Sequence, residues 1–171
     1  MKKLIVFAIA IFGFTAVSFG QNFATAVATG TIITPIAITH VTDMNFGTIA
    51  VLNGVAGVVT LPATTGTPTR TVTGGATLPP SSKGSPTAAA FNITGATGYS
   101  FSITLPTGTY TLTGSVSGTM TADTWTSSLG ATSTMAAGDN PLYVGANLNV
   151  GATQAAGLYT GPAFTVTVNY N

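Results

Sequence analysis

The 171-residue chain contains no cysteine and no glutamate, and it has a single histidine. Without cysteine it cannot be a disulfide-stapled scaffold, a thiolate metal centre or a lipid-anchored lipoprotein. Its stability must rest on hydrogen-bonded sheet and a packed core, which a chain of this length can build. Charge is almost as scarce, with four lysines and arginines against three aspartates. That excludes nucleic acid as a partner, because binding it draws on many basic contacts. Weak charge also removes repulsion between copies, so self-association is easy.

The residue types of catalysis are mostly missing. A Ser-His-Asp set assembles only on paper, since His40 and Asp43 lie three apart around a turn and no G-x-S-x-G elbow accompanies them. Asp123 and Asp139 serve as a glycosidase pair only if the fold brings them together. Asp139 in GDNP reads as a turn residue whose side chain bonds its own backbone. Calcium at that turn lacks the EF-hand series of oxygen ligands. His40 and the three aspartates have no metal-ligand spacing. The chain therefore reads as a non-enzyme with no cofactor and no metal.

What is present begins with MKKLIVFAIAIFGFTAVSFG. Lys2 and Lys3, the apolar run Leu4 to Val17 and the small-x-small pattern Ser18-Phe19-Gly20 read as a secretory signal peptide over 1–20, cleaved before Gln21. The apolar stretch is short for a bilayer, so no integral membrane segment is expected in the mature chain. The expected mature chain, 21–171, keeps Arg70 and Lys83 against three aspartates, a formal net charge of −1. Its expected location is the periplasm in transit, then the cell surface or an extracellular fibre.

The remainder reads as a single all-β domain. Threonine, a good strand former and a poor helix former, occurs 34 times. Glycine, proline and asparagine break the chain at short intervals. Strand patterns are predicted at 44–51, 57–62, 69–74, 88–94, 99–106, 109–114, 117–125 and 141–151. A loop is expected over 79–87 and a looser connection over 129–141. Leu142, Val144, Ala146, Leu148 and Val150 share one face of the 141–151 strand. Many short strands with turn signals suggest a sandwich or barrel.

Both ends of the mature chain carry long alternating segments. The last is FTVTVNYN, in which Phe164, Val166, Val168 and Tyr170 alternate with polar residues, predicting one strand over 164–170. The first, NFATAVATGTIITPIAITH, puts Phe23, Thr25, Val27, Thr29, Thr31 and Ile33 on one face. Ala24, Ala26, Ala28 and Gly30 share the other, and Pro35 interrupts the ladder. An exposed sheet edge is a hazard that fibre subunits turn into assembly by accepting a neighbour's strand. Residues 23–34 are the candidate donor, with Phe23, Thr25, Val27, Ala28, Gly30, Ile32 and Ile33 as candidate contacts; the inward parity stays open, as does pairing within the segment's own domain. Trp125, the only tryptophan, is a candidate stacking platform, with core packing as the plainer reading. The threonine content raises an ice-binding surface, which the irregular spacing disfavours.

ATGTIITPIAITHVTDMNFGTI (28–49), RTVTG (70–74), PLYVGANLNVGATQAAGLYTG (141–161) and FTVTVNY (164–170) resemble an exported bacterial domain family of unassigned function. Its members share a TPIAIT…LNFGTI opening and a YTGTFTVTVNY close; here Met44 stands for the common leucine and Pro162-Ala163 for the short GT junction. That family is similar to the spore-coat-U-like and chaperone–usher pilin domains. The resemblance implies an immunoglobulin-like, pilin-like β-sandwich with Greek-key connections. It also implies a donated N-terminal strand, with a periplasmic chaperone and outer-membrane usher as partners. In pilins the last strand has alternating apolar residues, a penultimate tyrosine and a glycine fourteen residues before the end. Phe164, Val166, Val168, Tyr170 and Gly157 match those positions. The function expected is a structural subunit of a surface fibre or coat, self-associating by strand exchange. The alternative is a self-complemented monomeric surface domain that binds a glycan or a protein.

Overall fold

The computed structural model describes residues 20, 22–79 and 84–171. The signal peptide expected over 1–20 lies outside them except for Gly20, as do residues 80–83 of the expected 79–87 loop. The chain divides into two units, residues 1–32 and 33–171. In the first, residues 22–32 form no strand and every side chain is exposed.

The second unit is all-β. Its large sheet contains β1 (Ala37–Thr42), β3 (Gly57–Leu61), β4 (Thr71–Gly74), β6 (Ala89–Thr94), β8 (Tyr110–Gly114), β9 (Thr119–Ser127), β11 (Asn140–Val150) and β12 (Tyr159–Thr160). Two small sheets accompany it. One is β2 (Ala50–Val51) with β5 (Ala76–Thr77); the other has the order β10 (Thr132–Thr134), β7 (Ser100–Thr104), β13 (Thr167–Tyr170). All named pairs are antiparallel.

Strand β11 organises the large sheet. Its predicted apolar face, Leu142 to Val150, is buried throughout. Its first half pairs with β6 and its second half with β3, and β9 runs along its other edge. Gly145 sits where β6 gives way to β3. A Cβ there would overlap the Leu61 carbonyl oxygen and the Ala63 amide nitrogen, so only glycine lets the crossing backbone pass.

The inner face of the large sheet is covered in two halves. Over β6 and the start of β11, the sheet of β7 and β13 packs Phe101, Ile103 and Val168, with Val166 just before β13, against Ala89, Ile93, Leu142 and Val144. Over β3, β9 and the end of β11, Ala76, Phe46, Ile49 and Val51 pack near Val59, Met120, Ala122, Leu148 and Val150. Trp125 packs against both clusters.

Several strand expectations need correction. The last strand covers Thr167–Tyr170 and not 164–170: the alternation of burial continues back to Phe164, but residues 161–166 have no ladder partner. The 44–51 segment is not one strand; Asn45 makes an isolated bridge to Thr87, and pairing resumes at Ala50. The connection over 129–141 contains a strand, β10, held by Ser100–Ser102 of β7. The stretch between the 141–151 and 164–170 patterns also contains a strand, β12, held by Thr113 and Gly114 of β8.

Candidate functional site

The strands β1 and β13 are edges of different sheets, each paired on one side only. Thr34 meets Tyr170 at one end of their seam, and His40 and Phe164 both meet Phe91 further along. The two edges therefore run side by side in opposite directions. Beyond His40 and Phe164 the seam opens into a groove of about 750 Å³.

One wall of the groove is residues 43–46, and the sequence explains its shape. The Asn45 side chain accepts the Gly47 amide at 2.7 Å, an Asx turn, and Gly47 takes the positive φ (68°) that completes it. Asn45 also exchanges backbone hydrogen bonds with Thr87, both at 2.9 Å. The Arg70 guanidinium donates to the carbonyls of Phe46 and of Thr48, the latter at 3.0 Å. Burial among these groups pushes the Arg70 pKa below its ordinary value, yet arginine remains charged in proteins. So the NFGT turn and Arg70, from two separate sequence motifs, form one clamp behind this wall. Sequence reasoning did not single out Arg70; the signal available was its place as one of two basic residues after the leader.

The other wall is residues 158–164. Among the described residues, those at 161–166 make no backbone hydrogen bond. Pro162 has no N–H to offer, but the remaining amides and carbonyls of this stretch have no protein partner.

The floor is aromatic. Phe164 lies 4.7 Å from Trp125 between ring centroids, and both rings stand edge-on to Tyr110, at 6.5 and 5.2 Å. Trp125 donates its indole N–H to the Gly108 carbonyl at 3.3 Å. Its orientation depends on a bulge. Gly145 and Asn147 of β11 face Thr126 and Asp123 of β9, so three steps of β9 answer two of β11. Thr124 in that bulge has φ of 51°, the only positive value recorded for a non-glycine residue among the described ones. Strict alternation from buried Met120 and Ala122 would turn Trp125 to the outer face; the extra residue turns it inward. Trp125 is thus half-buried on the groove floor and joins the core-packing and exposed readings in one position.

At the closed end of the seam, Tyr170 is the fastener. Its hydroxyl donates to the Thr34 carbonyl at 2.9 Å and accepts the Ala96 amide at 2.6 Å. A Cβ on Gly95 would overlap that hydroxyl, so the turn beside it requires glycine. Val166 and Val168 are buried, and Gly157 is exposed just before β12. Of the candidate donor residues, Phe23, Thr25, Val27, Ala28, Gly30 and Ile32 are exposed and Ile33 is half-buried.

The remaining polar candidates do not converge. His40 Nε2 lies 3.1 Å from Asp43 Oδ1 at the groove rim, and both are exposed. No serine is among the described residues lining the groove. Asp123 is bonded to Asn149 and Asp139 to Asn92. Asp123 faces Asn147, seven rungs along β11 from Asn140. That is roughly 20 Å at ~3.3 Å per residue, well beyond the spacing of a glycosidase pair. Among the described residues no three His, Cys, Asp or Glu side chains cluster, and no helix is long and apolar enough to cross a membrane.

Residues 36–170 match the family described as "Domain of unknown function (DUF4402)", and the chain belongs to that family. No curated protein and no solved structure matches it. The part of the chain that the family model matches is the all-β unit described above.

Proposed function

We propose that this protein is a subunit of a bacterial surface fibre or coat, assembled by β-strand complementation, with a pilin-like, immunoglobulin-type sandwich that lacks one strand. The observation that carries the reading is the groove. It is lined mostly by apolar and aromatic side chains, and residues 161–164 of its wall carry backbone groups without a backbone partner. An incoming strand supplies what both lack, since its backbone pairs with the wall and its alternate side chains cover Trp125, Phe164 and Tyr110. The donor in this reading is 23–34; on one of its faces Phe23 and Val27, both exposed, each contribute about 1.5–3 kcal/mol when fully buried. The receiving strand is the segment ending in Val166, Val168 and Tyr170. The leader at 1–20 delivers the chain to the periplasm, where a chaperone and an outer-membrane usher are the expected assembly partners.

The test is the size of the exported protein in mild detergent, before and after boiling, for the wild type and for a chain lacking 22–32. A ladder that collapses on boiling in the wild type and is missing in the deletion supports the reading. A monomer in both, with unchanged thermal stability, overturns it.

A further inference from the structure

Asparagine followed by glycine is the pair in which the backbone most readily attacks the side chain, because the second residue has no Cβ to hold the reacting atoms apart. The chain has one such pair, Asn53-Gly54. Its other asparagines precede phenylalanine, isoleucine, proline, leucine, valine or tyrosine, or end the chain. Between two strands, Asn-Gly signals a tight hairpin with positive φ at both residues. The structure uses it differently. Residues 52–55 form a turn closed by the Val55 amide, which donates to the Leu52 carbonyl at 3.2 Å. Gly54 has φ of 84° and Asn53 has no positive value, so the turn is type II. The strands on either side do not pair with each other: β2 pairs with β5, and β3 with β4 and β11. The turn is a corner between sheets, with no hairpin ladder of its own to hold it.

Both Asn53 and Gly54 are exposed. Asn53 opens onto a polar cavity of about 220 Å³ that Thr153 and Gln154 also line. Water therefore has access to the side-chain amide carbon. What the fold withholds is the nucleophile, since the Gly54 amide donates to the Ala152 carbonyl at 2.9 Å. The Leu52 amide, donating to the Gly75 carbonyl at 2.8 Å, ties down the start of the same turn. Ala152 is presented by the turn after β11, which Gln154 braces by accepting the Gly151 amide on its side-chain oxygen at 3.1 Å. None of Asn53, Gly54, Ala152 and Gln154 lines the groove.

We infer that Asn53 is a site of spontaneous deamidation, and that the Gly54–Ala152 hydrogen bond is the latch that holds the reaction back in the folded domain. With the latch open, the Gly54 nitrogen loses its proton to water and bonds to Asn53 Cγ. The Cγ–Nδ2 bond breaks, and ammonia leaves with a proton returned from solvent, giving a five-membered succinimide. Water then opens the ring at one of its two carbonyls. Opening at Cγ gives aspartate on the original backbone. Opening at the main-chain carbonyl gives isoaspartate, whose backbone runs through Cγ and is longer by one methylene. The sum consumes one water, releases one ammonia and changes no oxidation state. Either product adds a carboxylate to a chain that has only three aspartates. The longer backbone no longer matches a type II turn, so the latch does not reclose on isoaspartate.

The test is peptide mapping of the exported protein by mass spectrometry, with aspartate and isoaspartate at position 53 followed over time at mildly alkaline pH. The folded protein should react at least about tenfold more slowly than the protein in urea, because local opening of the turn governs the folded rate. Gln154→Ala should speed the folded reaction several-fold and leave the rate in urea unchanged. Asn53→Gln should remove the product in both conditions, since its ring would be one atom larger. Equal rates in the folded and unfolded protein overturn the latch, and no reaction at position 53 in urea overturns the site. A folded rate that Gln154→Ala leaves unchanged also overturns the latch. Should that variant fail to fold, hydrogen exchange at the wild-type Gly54 amide decides the point: slow exchange supports the latch, and exchange at the rate of an open peptide overturns it.

Discussion

The two ends of the seam between β1 and β13 carry one sequence pattern and reach opposite outcomes. At the Tyr170 end, Val168 and Tyr170 face Phe101 and Ile103 with a ladder to β7, and Tyr170 ties the edge to Thr34 and Ala96. At the Phe164 end the alternation of apolar and polar residues is unbroken, yet the backbone has no partner and the apolar side chain looks into a groove. Nothing local separates Phe164-Thr165-Val166 from Val168-Asn169-Tyr170. The difference is the neighbour: β7 ends at Thr104, opposite Thr167, and among the described residues no strand continues the ladder beyond it. Strand formation is a property of a pair, and a half-buried surface that fits a strand is an offer until something accepts it.

The sharpest way to break the comparison is at its closed end. Phe101 is fully buried under β13. Phe101→Ala should cost about 3–5 kcal/mol, read by urea denaturation, and should abolish folding and assembly together. Arg70→Met comes next. It leaves the Phe46 and Thr48 carbonyls without their charged donor, with a cost of about 1–3 kcal/mol. Because Arg70 stands behind the groove wall and does not line the groove, this variant should lose capture of a synthetic 22–34 peptide in proportion to wall order. Amide hydrogen exchange at residues 45–48 should rise well before exchange in β11. Phe164→Ala acts at the open end. The domain should lose only about 1–2 kcal/mol, since the ring is only partly buried, while binding of the 22–34 peptide should weaken by tenfold or more. A larger stability loss than Phe101→Ala would mean that the groove is part of the closed core.

Much of this architecture is legible in the sequence, and the parts that are not share a cause. Runs such as VVTL, FNIT and SFSIT alternate β-branched and aromatic residues with polar ones, and they became β3, β6 and β7 within a residue or two. The apolar face of β11 is readable position by position because it is buried on one face along its whole length. The segment 23–34 reads as a strand just as well, but pattern alone does not supply a partner. Three residues in β10 became a strand only because Phe101 and its neighbours lie beside them, a long-range event with no local sign. Arg70 lies more than twenty residues from the turn it clamps, so neither motif announces the other. Trp125 was undecidable between core and surface because one inserted residue reverses its face, and neither ADTWTSS nor its threonines carry a mark for that insertion.

That bulge supplies the smallest and most specific test. Thr124 is β-branched and adopts positive φ, a conformation that costs such a residue of order 1–3 kcal/mol. Glycine at this position removes the strain but gains unfolded-state freedom, a loss of roughly 0.5–1 kcal/mol. The two terms oppose each other, so Thr124→Gly should stabilise the domain by about 1 kcal/mol, seen as a higher urea midpoint with an unchanged slope. If the strain serves only to aim Trp125, the variant should also keep its tryptophan emission and its affinity for the 22–34 peptide, because the bulge itself remains. Deleting Thr124 restores plain alternation and should move Trp125 to the outer face. Trp125 would then be accessible to an aqueous quencher, and the groove would lose the floor on which Phe164 rests. A deletion that leaves Trp125 emission and peptide binding unchanged would show that the indole reaches the groove without the bulge, and that the strain at Thr124 has another cause.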